Sequence, residues 1–250
     1  MSEPDQPSLP APSSTTRDTL LDAAEQLFGE RGYAAVGTRE IAERANANIA
    51  SIKYHFGCKS ELYLATVRRA MGKSDAGNVW NFLKPASSEP VDAAAALARF
   101  IHEMLRKHLM CREPNPCCNF MLREAMEPSE AIDVVVRDYI QPYQQMLMEV
   151  IAVIAPKHSQ DQLRLTASSI LGQVMHYRVF RAFVERMHTQ PLDEESRVEQ
   201  IAQHIARFSL AGLGCDGSLI SRALERSKQH QVKDHAQARG PAAVLEGSLP

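Results

Sequence analysis

Apolar residues recur every three or four positions over long stretches of this chain, and no segment alternates apolar and polar residues as a half-buried strand would. That single pattern restricts the fold to the all-α class. The 250 residues are 44% apolar, enough for a sizeable core. Helices are predicted over 16–31, 38–45, 49–55 and from near Cys58 to Met71, then over 91–110, 117–126, 128–154, 161–187 and 194–213. In the first, Leu20, Leu21, Ala24, Leu27 and Phe28 share a face, Thr15 and Asp18 have capping-box spacing, and Gly32 marks the end. Thr38 reads as the N-cap of the second helix and Asn48 as that of the third. Pro142 predicts a kink in the long 128–154 helix, and Pro156 its end.

The punctuation divides the chain. Residues 1–14 are acidic and rich in Pro and Ser, with no basic or apolar run, so they read as a disordered arm and not a signal peptide. Residues 15–72 form a first domain and 73–214 a second. Residues 215–250 are polar and read as a disordered tail, holding at most a short helix around 219–224. No run of 18 apolar residues occurs, so no membrane span is expected. Five cysteines, an odd number in no disulfide spacing, fit a reducing cytoplasm.

Segment 38–59 carries the chemistry. Two short helices joined by the turn Asn46-Ala47-Asn48 make the unit that lays its second helix in a DNA major groove. Ile41, Ala42, Ala45, Ile52 and Phe56 fall on the inner side. Asn48, Ile49, Ser51, Lys53, Tyr54 and His55 remain outside, mixing hydrogen-bonding groups, an apolar contact and a fixed charge. Such a face suits base edges and phosphates together. Thr38 offers a hydroxyl at a helix start, where a phosphate is favoured. Lys59 opposes the dipole of the fourth helix, which a phosphate partner would explain. The net charge of −2 requires any nucleic-acid surface to be a local patch.

The runs Thr16 to Phe28, Arg31-Gly32-Tyr33, Thr38-Arg39-Glu40-Ile41-Ala42, Ile52-Lys53-Tyr54-His55-Phe56 and Lys59-Ser60-Glu61-Leu62 resemble, in order and spacing, the N-terminal domain of the TetR/AcrR family of transcriptional regulators. The resemblance spans about residues 16 to 65. It implies phosphate contacts at Thr38 and Lys59, and base or phosphate contacts at Arg39, Ser51, Lys53, Tyr54 and His55. Four positions depart from the family pattern. Asn46 and Ala47 stand where Gly and Val are usual, and Asn tolerates a left-handed turn. Lys53 stands where an aromatic is usual, so base preference need not follow the family. Cys58 replaces a better N-cap, which weakens the start of the fourth helix.

Farther on, Cys118 to Pro128 and Ile140-Gln141-Pro142 resemble the C-terminal domain of a TetR branch of the CerR type, implying effector binding and dimerisation. Small residues at Ala167, Ser168, Gly172, Ala202, Ala206 and Gly212, set among Leu165, Leu171, Met175, Val179, Phe183, Ile201, Ile205 and Phe208, suit a homodimeric four-helix interface; the same stripe also suits an internal core. Phe100, Met104, His108, Phe120, Arg123, Met126, Tyr139, Tyr143, His176, Tyr177 and Phe180 mix aromatic surface with polar heads, as a small-molecule site does and as an ordinary core does. His108, Cys111, Cys117 and Cys118 attract attention as metal ligands, but adjacent cysteines suit zinc poorly and no CxxC pair exists, so neither a metal nor a cofactor is expected. No GxSxG, HExxH, GxxxxGK[ST] or GxGxxG motif supports an enzyme. The expectation is a cytoplasmic, ligand-responsive repressor that binds a near-palindromic DNA operator as a homodimer. Two alternatives stay open: a regulator that senses oxidant or metal through its cysteines, and a helical enzyme or interaction module with a vestigial helix-turn-helix.

Overall fold

The structure, a computed structural model, describes residues 15–72, 79–110, 116–187 and 190–238, without the side chains of 116–118 and 232–238. Every regular element among them is helical. The arm at 1–14 and the last residues, 239–250, lie outside the described residues, as do the side chains of Cys111, Cys117 and Cys118.

The chain forms two compact units. The first, the head, joins the N-terminal residues to a later segment, 116–139. It contains α1 (Thr16–Ala35), α2 (Thr38–Arg44), α3 (Ile49–Phe56) and α4 (Lys59–Gly72), then α6 (Pro116–Met126) and α7 (Ile132–Val135). The second, the bundle, contains a 3-10 turn at Asn81–Leu83, α5 (Pro90–Met110), α8 (Gln141–Ile154), α9 (Gln160–Val179), α10 (Arg181–Met187), α11 (Glu195–Gly212) and α12 (Gly217–Ala238). The division expected at residue 72 therefore leaves out a piece of the head: segment 116–139 packs with residues 15–72.

In the head, Leu20, Leu27 and Phe28 of α1, Ile41 of α2, Ile52 of α3 and Leu62 and Val67 of α4 are buried together at the positions that the periodicity marks. Thr15 caps α1, accepting from the Asp18 N–H. Gly32 interrupts helical geometry at φ +82°, where a side chain would be strained. The N-cap of α2 is Gly37 and not Thr38, which is already inside the helix, because Gly37 takes the extended backbone of a cap.

In the bundle, α5 is the central helix and packs against α8, α9, α11 and α12. Its Ala93, Ala94, Ala95, Ala96 and Ala98 are all buried, and small side chains let neighbouring backbones come close. Trp80 stacks on Tyr143 at 4.6 Å and meets Phe100 at 4.5 Å.

Three expectations are corrected. The 128–154 helix is broken, not kinked: α7 is followed by a π-helical turn at Val136–Ile140, and α8 begins afresh with Pro142 in its first turn. There the missing N–H costs nothing, whereas mid-helix the ring would clash with the preceding turn. The 161–187 helix is two helices, because Phe180 leaves helical geometry at φ −100°, ψ 20°. Ser159 and Gln162 form a full capping box at the start of α9. The tail is not disordered through its described part: α12 runs to Ala238 and buries Ile220, Ala223, Leu224 and Ser227 in the bundle.

Candidate nucleic-acid interface

The head fixes α2 and α3 from several sides. Arg31 of α1 pairs with Glu40 of α2, and Arg44 donates to Gln26 at 3.1 Å. The turn closes through Asn46, which adopts φ +49°, and the Ala47 N–H donates to the Ala42 carbonyl at 2.9 Å. Asn is among the few side chains that accept this backbone cheaply, so it serves where glycine is usual. Asn48 then caps α3, its Oδ1 accepting from the Ala50 N–H at 2.8 Å. With Ile52 buried beneath, α3 is a rigid short helix whose outer face is set by its register.

That face is open. Asn48, Ile49, Lys53 and Tyr54 are exposed, Tyr54 by 84%, while Ser51 and His55 are half-buried. The Tyr54 and His55 rings meet edge-on at 4.9 Å. Arg39 is exposed on α2 and Thr38 is half-buried at its start. Among the described residues neither Arg39 nor Lys53 enters an ion pair, so both charges are uncommitted. Exposed apolar side chains beside uncommitted cations are what groove recognition uses: methyl and ring contacts to bases, charges to phosphates.

Lys59 is less free. Its ammonium sits 4.4 Å above the Tyr33 ring, and partial burial lowers its pKa. The ring faces one side of the ammonium. Cys58, one residue earlier, makes a 3.1 Å contact with the Ser60 hydroxyl. That contact, and then the Glu61 N–H, lower the pKa of its exposed thiol.

Two features of the head escape sequence inspection. Arg17 lies over the Phe56 ring at 5.3 Å, bracing α3 from the first turn of α1. The second is the seating of α6. Glu124 is fully buried and accepts from the Tyr63 hydroxyl at 2.6 Å, the Ser129 hydroxyl at 2.8 Å and the Ser129 N–H at 3.1 Å. Burial, then the Glu124 carboxylate, push the Tyr63 phenol far above its ordinary pKa, so it stays a donor. Arg123 donates to the Gly29 carbonyl at 2.9 Å and to that of Glu30, capping the helical part of α1 ahead of Gly32. Pairs separated by 61 and 94 positions leave no periodic signal.

The eleven ligand candidates divide between the units. Phe120, Arg123, Met126 and Tyr139 belong to the head. There Phe120 is buried against Tyr63 at 5.9 Å, Arg123 is committed to α1, and Met126 is exposed. The other seven belong to the bundle. Phe100 and Tyr143 flank Trp80, and Met104 packs partly buried on the same core. His176 contacts Tyr177 at 5.4 Å and Phe180 at 5.5 Å. His176 and Tyr177 line an open recess of about 520 Å³ together with Gln173, His204 and Phe208. His108 is buried at the end of α5. Among the described residues no group of His, Cys, Asp and Glu is placed to hold a metal.

Residues 20–66 match the model of the bacterial regulatory proteins of the TetR family, and residues 93–213 match the C-terminal domain of the HTH-type transcriptional dual regulator CecR. The chain belongs to the TetR family. The resemblance of 118–142 to the CerR type is met by this CecR domain. As a TetR-family protein, the chain is a ligand-responsive, DNA-binding transcriptional regulator. It is 26% identical over 210 residues to the dual regulator CecR of Shigella flexneri, covering 80% of this chain and 92% of that one. It is 45% identical over 58 residues to the transcriptional activator FasR of Mycolicibacterium smegmatis, covering 23% of this chain and 26% of that one. The fold is shared with a putative transcriptional regulator of Saccharomonospora viridis solved in complex with choline. That likeness has a TM-score of 0.53 at 17% identity, over 77% of this chain and 94% of the other. No described helix of this TetR-family chain is long and apolar enough to cross a membrane.

Proposed function

We propose that this regulator binds a near-palindromic operator as a homodimer, represses by occupying it, and releases it when a small molecule binds the bundle. The observation that carries the DNA half is the rigid α3 with its outward Ile49, Lys53 and Tyr54. In this reading Thr38, Arg39 and Lys59 hold phosphates, while Asn48, Ile49, Ser51, Lys53, Tyr54 and His55 face the groove. Occupancy alone suffices for repression wherever an operator overlaps a promoter. Relatives named as a dual regulator and as an activator fit a sign set by operator position.

The dimer is supported by where apolar surface stays exposed. Leu165, Val179, Phe180, Phe183, Met187 and Phe208 are exposed along α9, α10 and α11, Phe183 by 67%. The small residues Ala167, Ala202 and Ala206 of the same helices are buried inside the bundle. The stripe thus has an inner half, which is core, and an outer half, which a second copy would cover. Two copies of α3 would then enter major grooves about 34–36 Å apart.

The test is selection of bound sequences from random duplex DNA at fixed moderate salt, with the parent chain and the double variant Lys53→Ala, Tyr54→Ala. A near-palindrome enriched by the parent and lost by the folded variant is expected. Equal enrichment by the two proteins would mean that α3 is not the reader.

A further inference from the structure

In the last turn of α5 the basic groups of Lys107 and His108 have no partner among the described residues. His108 is 7% exposed, and its Nε2 has no hydrogen-bond partner among the described residues. The ammonium of Lys107 is likewise shut off from solvent and unpartnered. Arg181 donates to the Leu109 carbonyl at 2.9 Å, which pins the α9–α10 junction against the end of α5. Arg178, in the last turn of α9, lies close enough for its charge to act on His108. It makes no hydrogen bond or ion pair among the described residues. Burial, then the like charges of Arg178 and Lys107, hold the His108 pKa down at about 4. Carboxylates are present at this end, but Glu185 and Asp193 both go to Arg181, at 2.7 and 3.7 Å.

Helix C-termini attract cations, and α5 and α9 both end here. A terminus stabilises a cation only weakly, somewhat more when partly buried. Enclosing an ammonium without a partner costs more than a terminus returns. The dipoles alone do not close the balance, whereas an anion would.

We infer that the last turns of α5 and α9 form the anion-binding end of the effector site, where His108, Lys107 and Arg178 receive the carboxylate of a small organic acid. The inference rests on the reading that the bundle takes a small-molecule effector. Arg178 supplies a planar fork, Lys107 a point charge, and His108 an N–H in its Nε2-protonated tautomer. The apolar body of the acid lies toward Met104, one turn back on the His108 face and packed on the bundle core. An anion among these groups favours the imidazolium, so binding takes up a proton and strengthens as pH falls.

The experiment uses the full chain, nitrogen-15 labelled at histidine, with sodium benzoate, its neutral analogue benzyl alcohol and sodium phosphate as probes at constant ionic strength. The His108 signal is assigned by its loss in His108→Gln. Benzoate should move that signal saturably and benzyl alcohol should not. Benzoate affinity should improve severalfold from about pH 7.5 to about pH 6. Lys107→Met and Arg178→Met, each confirmed folded by melting, should each weaken benzoate about tenfold, equivalent to ~1.4 kcal/mol. An unmoved His108, an equal response to benzyl alcohol, or binding of phosphate without benzoate overturns the proposal. Operator binding is measured on the same samples. If it is intact while benzoate fails to bind, the anion site falls and the regulator reading stands; if the parent chain binds no DNA, that reading falls first.

Discussion

Single residues decide two properties of this molecule. Asn46 holds the turn of the reading unit at φ +49°. Asn46→Ala should cost about 1–2 kcal/mol, since alanine has no side-chain bond to offset a left-handed backbone, whereas Asn46→Gly should be near neutral. Denaturant unfolding of the three proteins checks the order. His108 governs a pH response. Burial, with Arg178 and Lys107 nearby, holds its folded pKa at about 4, below the ordinary histidine value of 6.5. A histidine that stays neutral when folded and takes a proton when unfolded contributes stability in full above about pH 6.5. That contribution is lost as pH falls toward 4, up to about 3 kcal/mol. The difference in unfolding free energy between the parent and His108→Gln, followed from pH 7 to 4, should show this loss in the parent alone, and benzoate should shrink it. At this scale the sequence shows the turn at Asn46, the Asn48 cap and the exposed face of α3 well, because these follow local rules, while it places the cap of α2 one residue late. It shows Arg123 and Glu124 badly, because their partners lie 61 to 94 positions away and a buried carboxylate looks like any other glutamate on a helix.

At the scale of elements, periodicity locates the helices and misjudges how they stop. The ends at Phe180 and ahead of Pro142 come from backbone geometry that an apolar stripe does not encode. The larger miss is α12. Its buried face, Ile220, Ala223, Leu224 and Ser227, holds only two large apolar residues and reads as a polar tail. The face makes sense only beside its receptor: Ala98 of α5 lies with Leu224 and Ser227 around one small gap, and Arg226 pairs with Asp92. Small residues on one helix make room for a modest face on the other, and neither signals this alone. Truncation after residue 216 should therefore destabilise the bundle by on the order of 3–5 kcal/mol, about what two large buried aliphatics contribute. Thermal melting of the shortened chain checks it; an unchanged melt would mean that α12 is dispensable.

For the molecule as a whole, a net charge of −2 means that attraction to DNA comes from a few placed cations. Arg39 and Lys59 from two copies make four phosphate-facing cations, which predicts a log–log salt slope of about −3.6 and a loss of operator affinity of roughly 150-fold from 50 to 200 mM salt. A titration giving a slope of about −1 would mean that most of these side chains do not touch phosphate. The head that carries them is also assembled from two stretches of chain, since 116–139 packs with the N-terminal helices. Until that later stretch exists, Tyr63 lacks its acceptor and the Gly29 carbonyl its donor. During synthesis, N-terminal domains ordinarily fold as they emerge, at about 5–20 residues per second. Here the ribosome must add some 65 residues beyond the fourth helix before the reader is complete, a delay of roughly 3–13 s at that pace. A nascent chain therefore completes this head only after α5, the central helix of the bundle, has also been made.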